Sequence, residues 1–504
     1  MESRIVGIDV PQIELDGHGL DSETVALIAD GEACVEVSPH AFCQVEQSWR
    51  RACDLVATGR VYGRSTGVGA NRVLDVDPAD LGLHGLRLLR SHAGGIGEPL
   101  PARQVRAMMI VRLNQLLVGG AGLRPEVVQG LTAAVKAGVH PLVNEYGAVG
   151  TGDLAALSQL GLALAGEHPW QGGRTPPPAI GLETGDALAL ISSNALTLGQ
   201  ASLARHSLDR LLRGAHVVAA LSLLAVDGSL EAFAEPVHAA RPHPGNVRAA
   251  AELRRLVGAP ARPGPPTGRI QDPYGFRCFP QIHGPALEAC DALERVLAIE
   301  LNVGAENPLI SADGPDGKPA AYHHGGFYSA HVALALEYMV LALLPTARLS
   351  AARLAALSEP GITGLRPFLA GGASAGSGVL ILEYSANAAI AELRNAAAPA
   401  SAGHAVLSRS VEEAASFASQ SARQVLRAVE TYRLVLGCEL VAAVRALRQR
   451  GPDGTKRAAW GDRSLPVGRA YALADAKLDL SMEDRPLSAD VSAAAGLLDT
   501  LADL

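Results

Sequence analysis

From Val411 to Leu447, apolar residues return every three or four positions, through Val411, Phe417, Val425, Val429, Tyr432 and Val444, and no proline interrupts them. This spacing predicts one helix of roughly 35–40 residues, longer than globular helices usually run. Gly437 is its one weak point. Sustained heptads with flanking charge pairs are missing, which favours a large helical bundle over a coiled coil. Residues 205–227, 284–305 and 328–345 are further long-helix candidates. Aromatic residues make up only 4% of the 504-residue chain, while Ala and Leu abound, a balance that suits helices more than sheets.

The front of the chain is more mixed. Arg4–Val10 and Cys34–Val37 read as small strands. A helix starts near Pro101 and stops at Gly119-Gly120, and a second opens at Pro125-Glu126 and ends at Gly138. Asp153 reads as the cap or first-turn acid of a helix running to about Gly166. The proline-rich GAPARPGPPTG over 258–268 is a loop. The expected organisation is mainly α: a smaller N-terminal lobe over 1–200, then a long-helix bundle over 201–504.

Several function classes are excluded at this level. A formal charge of -8 with scattered arginines argues against nucleic acid as a partner. The first ten residues, MESRIVGIDV, lack a basic-then-apolar signal pattern, and apolar runs such as Val217–Val226 are too short to span a bilayer. Six cysteines lie at 34, 43, 53, 278, 290 and 438 with no CxxC pair, which argues against a zinc site or a disulfide framework. The expectation is a soluble cytoplasmic protein with free thiols.

Four separated stretches then matter together: VYGRSTGVG at 61–69, SHAGGIGEPL at 91–100, GAVGTGDLAAL at 147–157 and QDPYGFRCFPQIHG at 271–284. Two later ones agree, Glu306-Asn307-Pro308-Leu309 and the run from Gly325-Gly326-Phe327 to Leu365-Arg366-Pro367-Phe368. In this order and spacing the chain resembles the histidine and aromatic amino acid ammonia-lyases and their aminomutase relatives, over about residues 35–450. The resemblance implies an ammonia-lyase/fumarase-like helical bundle, a homotetramer with sites drawn from three chains, and an amino acid or analogue as small-molecule partner. It also implies a self-made electrophile, the methylidene-imidazolone, built from an internal Ala-Ser-Gly.

At that motif this sequence departs from the family. Gly147–Gly150 matches the stretch before the triplet and Asp153-Leu154-Ala155 the stretch after it, but only Thr151-Gly152 stands between. One alignment deletes the serine, and no ring can form. The other makes Gly150-Thr151-Gly152 the triplet, and a dehydrated Thr would carry an extra methyl on the electrophilic carbon.

The resemblance also assigns roles. Tyr62 matches the acid/base near the substrate's β-carbon, a task that requires a lowered phenol pKa. Tyr274 matches the tyrosine facing the electrophile, and Arg277 the carboxylate anchor, where a bidentate guanidinium serves better than a lysine. Asn194, in ISSNA, stands near the family's Asn-Gly-Thr, and Asn307 matches a residue near the substrate carboxylate. Phe327 matches the pocket aromatic. His92 after Ser91 fits histidine-type enzymes, and Glu412 falls near their Gln-Glu pair, so that together they could grip an imidazole or another polar group. Plain alternatives stand beside these roles: a turn tyrosine at 62, a surface turn at 274–277, a satisfied buried Asn194, a core His92 and Phe327, and an exposed acid at 412. His323-His324, and His238 with His243, read as solvated loop histidines rather than a metal site. Three functions follow: an ammonia-lyase or aminomutase of the histidine type, a lyase or isomerase working without the internal electrophile, and a non-catalytic small-molecule binder.

Overall fold

The computed structural model describes residues 11–77, 79–265, 268–372, 375–451 and 458–504. The expected strand at Arg4–Val10, and Pro266-Thr267 of the proline-rich loop, lie outside them. Two compact units form. The first combines Met1–His206, Leu293–Leu336 and Pro399–Arg423; the second combines Ser207–Ala292, Glu337–Ala398 and Gln424–Leu504.

Helices dominate. The candidate at 205–227 overlaps Ala195–Ala225 and overruns its end by two residues, that at 284–305 overlaps Phe279–Glu300 and overruns it by five, and that at 328–345 overlaps Ala330–Ser358. Two of these stretches are apolar enough to cross a membrane by composition. Their apolar windows, in Asp186–Ala225 and Ala330–Ser358, are 100% and 67% buried within the protein, as core helices are.

The predicted helix over Val411–Leu447 is shorter at its front. It runs Ala418–Arg450, 33 residues, because Phe417 adopts a left-handed φ of 53°. Before it, Leu407 pairs with Glu412 in an isolated antiparallel bridge, and Ser408, Arg409 and Ser410 all have positive φ. The apolar spacing at Val411 and Phe417 thus belongs to a loop.

In the first unit, Ala102–Leu117 is buried almost all round. Pro125–Ala137 ends as its sequence predicts, on Gly138 in the left-handed region (φ 70°), where a side chain would be strained. Gln12–Leu15 pairs in parallel with Cys34–Val37, and Leu309–Ser311 pairs antiparallel with Ala320–Tyr322. The Leu154–Leu164 helix starts at Asp153, but the Asp153 side chain does not cap it. The carboxylate instead accepts from the Thr197 backbone N–H (2.7 Å) and hydroxyl (3.0 Å), tying the helix start to the Ala195–Ala225 helix.

Candidate active site

The 147–152 loop is held from two sides. On one side stands the segment entering the Ala418–Arg450 helix. Phe417 N–H donates to Val149 O (2.8 Å), Ser416 Oγ to Gly150 O (2.8 Å), and Ser419 Oγ to Ala148 O (3.0 Å). A Cβ on Gly150 would stand 2.2 Å from Ser416 Oγ, and its φ of 82° is one that other residues rarely adopt, so only glycine fits. On the other side is Asn194. Its Oδ1 accepts from Gly152 N–H (3.0 Å) and its Nδ2 donates to Phe327 O (2.7 Å). Asn194 is 5% exposed and both ends of its amide serve backbone groups, so it supports the loop from behind.

Thr151 lies between these clamps, and its hydroxyl donates to Glu412 Oε2 (3.1 Å). Both line a cavity of about 300 Å³, with Tyr62, His92, Asn307 and Phe327. Six of the residues singled out in the sequence thus meet in one place, although Thr151 and Glu412 stand 261 positions apart.

Tyr62 is half-buried. Its hydroxyl accepts from Gly69 N–H (2.7 Å), and its ring meets His323 edge-on at 6.2 Å. Burial raises the phenol's pKa above its ordinary value, with the Glu412 charge adding to it and the Gly69 N–H opposing. Within this chain Tyr62 is therefore a neutral phenol at physiological pH, and another cation is needed to make it a base. His92 ends the Leu81–His92 helix, where its Nδ1 donates to Leu88 O (2.9 Å) and leaves Nε2 as an acceptor. Asn307 is fixed by its N–H to Ser192 Oγ (3.0 Å) and by its Oδ1, which accepts from His324 N–H (3.0 Å).

Tyr274 and Arg277 do not line this cavity. They belong to the second unit, on the single helical turn Tyr274–Arg277. Tyr274 is 63% exposed, and the Arg277 guanidinium stacks on its ring at 4.6 Å. Arg277 Nε is buried without an acceptor among the described residues.

Two histidines read as solvated are structural. His324 Nε2 donates to Glu306 O (2.7 Å), and His238 is buried, with its Nε2 on Ala232 O (3.0 Å). Sequence reasoning passed over Ser192, Ser193 and Ser408 in the cavity wall, and Ser416 in the loop clamp. The first two stood in the quoted ISSNA stretch. Ser416 lay in a segment read as helix, where serines carry no signal, and Ser408 lay just ahead of it, outside every quoted motif.

The loop does not fit the family's prosthetic group. Ring closure would join the Gly152 nitrogen to the carbonyl carbon two residues back, at Gly150. Here the Gly150 carbonyl is held by Ser416 and the Gly152 N–H by Asn194, two separate anchors. Between Gly150 and Asp153 stand two residues and no serine to lose water.

The model of the family described as "Aromatic amino acid lyase" matches residues 20–465. A histidine ammonia-lyase of Geobacillus thermodenitrificans is 35% identical over 457 residues, covering 88% of this chain and 90% of that protein. The crystal structure of histidine ammonia-lyase from Trypanosoma cruzi superposes with a TM-score of 0.88 at 27% identity, over 97% of this chain and 93% of that one. Ergothionase from Treponema denticola, an ergothioneine-degrading enzyme solved with desmethyl-ergothioneine sulfonic acid, gives a TM-score of 0.87 at 25% identity, over 98% of this chain and 100% of that one. With a family model matched along most of its length, a relative above 30% identical and its helical fold shared, this chain belongs to the aromatic amino acid lyase family.

Proposed function

We propose that this protein is a carbon–nitrogen lyase for an α-amino acid with an imidazole or aromatic side chain, the histidine type being the better fit. The observation that carries the reading is the convergence of Tyr62, His92, Asn307, Phe327 and Glu412 on one cavity of about 300 Å³, ample for one amino acid. Phe327 offers an apolar wall. His92 Nε2, an acceptor, suits an imidazole N–H where a bare phenyl ring would leave it unpaired. Asn307 stands ready for the carboxylate.

Elimination needs a base at the β-carbon and an exit for the nitrogen. Tyr62 takes the β-proton, the C–H electrons form the new double bond, and the C–N pair departs with the nitrogen. Burial holds Tyr62 protonated in the single chain, so a guanidinium must approach to ionise it. Arg277, with its unsatisfied Nε and its exposed neighbour Tyr274, suits that task and that of anchoring the carboxylate, when supplied by another copy of the chain. A homotetramer with shared sites, acting in the cytoplasm, completes the reading.

Incubation with histidine, tyrosine and phenylalanine, followed by ultraviolet absorbance of the conjugated acid, tests it. Histidine should give the largest signal, and Tyr62→Phe should lower kcat by roughly 10²–10⁴-fold. Absence of turnover of any imidazole or aromatic α-amino acid at high enzyme concentration, N-alkylated forms included, would overturn the lyase reading. The departure at Thr151-Gly152 favours one second reading, a non-catalytic homologue that keeps the pocket as a receptor. Saturable binding of histidine without turnover would establish that reading.

A further inference from the structure

We propose that Gly150–Gly152 works as unmodified peptide, and that Thr151 and Glu412 hold the substrate's cationic nitrogen by hydrogen bond and charge, so that it leaves without ever bonding to the protein. This rests on the lyase reading and concerns how that site handles its leaving group.

Three observations carry it. The loop is one residue short, and the two atoms that would close a ring are pinned by different elements, Gly150 O by Ser416 and Gly152 N–H by Asn194. The residue left at the centre of the loop carries a hydroxyl that faces the cavity wall beside a carboxylate, 3.1 Å from Glu412 Oε2. Spending its proton on Glu412 turns the Thr151 oxygen into an acceptor, and Glu412 keeps its second oxygen for another partner. A carboxylate backed by a hydroxyl is a receptor for a cation, whereas an electrophile needs a neutral amine with a free lone pair.

A chemical consequence follows. A primary ammonium beside Glu412 and Tyr62 can hand its proton to the group that must take the β-proton, and the neutral amine then left on the α-carbon departs poorly. A nitrogen without a proton cannot do so. It keeps its charge against Glu412, in a cavity that the aromatic residues Tyr62 and Phe327 also line. The site therefore accepts a fully alkylated α-nitrogen. The base takes the β-proton, the C–H pair forms the double bond, and the C–N pair leaves as a neutral tertiary amine. Charge and atoms balance with no co-reactant.

Two measurements on the full-length protein decide the matter. Intact mass should equal the unmodified sequence; a mass lower by two waters overturns the proposal. The second compares histidine with its Nα-trimethyl betaine, whose nitrogen has no lone pair and cannot add to an electrophile. Consumption of the betaine with release of trimethylamine, at a rate equal to or above that for histidine, supports the proposal. Turnover of histidine with the betaine inert overturns it and leaves the lyase reading intact. Inertness of both, in correctly folded protein, removes the lyase reading and this inference with it. Thr151→Val and Glu412→Gln should each raise KM for the active substrate by about ten- to hundredfold, with circular dichroism unchanged. An unchanged KM in both variants would assign the nitrogen elsewhere and overturn the proposal.

Discussion

Among the described residues each unit holds a fully buried arginine–glutamate pair, and the two pairs are built differently. In the second unit Arg353 and Glu439 meet twice, Nε to Oε1 at 2.6 Å and Nη2 to Oε2 at 2.7 Å. Ser222 and Ser350 then donate to the same two oxygens, at 2.7 and 2.6 Å. In the first unit Arg112 stands 2.8 Å from Glu306 Oε1, but neither carboxylate oxygen receives a well-directed hydrogen bond among the described residues. Burial raises the Glu306 pKa, and the Arg112 charge only partly offsets it. Arg112 spends its Nε on Leu190 O (2.8 Å), just before the Ser192–Asn194 corner, and Glu306 precedes Asn307 in the cavity wall. The unit that holds the cavity carries the less satisfied charge. Buried polar groups are usually completed where only stability is at stake, and left incomplete where backbone must be placed for a ligand.

Removing the better-built pair should hurt most. Glu439→Gln strands Arg353 in a fully buried site and should cost about 3–5 kcal/mol in urea denaturation. A cost under about 1 kcal/mol would break the contrast.

A pH test comes next, on the buried carboxylate of Asp153, which has Thr197 as its main support. Burial raises its pKa from 3.8 to about 6, against the Thr197 hydrogen bonds that lower it. Because the folded state holds the proton more tightly, the stabilising contribution is complete below the unfolded value of 3.8 and is lost as pH rises through about 6. The total is on the order of 2–3 kcal/mol. Denaturation curves across that window should show the decline in the native protein and its absence in Asp153→Asn.

The smallest effect is expected at Glu306→Gln, about 1–2 kcal/mol, since Arg112 keeps backbone carbonyl partners and the lost carboxylate was poorly served. A loss equal to that of Glu439→Gln would erase the distinction between the pairs.

Much of this was readable in the sequence, for reasons that differ from residue to residue. The long helices declared themselves through spacing, and Pro125 and Gly138 fixed both ends of one. The gathering of Tyr62, His92, Phe327 and Glu412 followed from motif resemblance alone, since no local signal joins residues so far apart. The helix start was misread at Val411 because apolar period continues into a loop whose backbone at Ser408–Ser410 is left-handed. Nothing in the spacing of side chains reports that. Tyr62 was expected as a base, yet its ionisation depends on burial and on the nearby Glu412 charge, which only three dimensions reveal. Asp153 looked like a helix cap, and its turn toward Thr197 came from a partner 44 positions away.

The short loop at Gly150 has one more consequence, for how easily its chemistry could be exchanged. Four serine and amide contacts from Ser416 to Gln420 fasten its carbonyls, and no side chain fits at its bend. Adding back a single serine would push at least one of these fastenings out of register, so the longer loop would need companion changes in the 416–420 segment before it could sit still. Shortening such a loop is one step; lengthening it again is several.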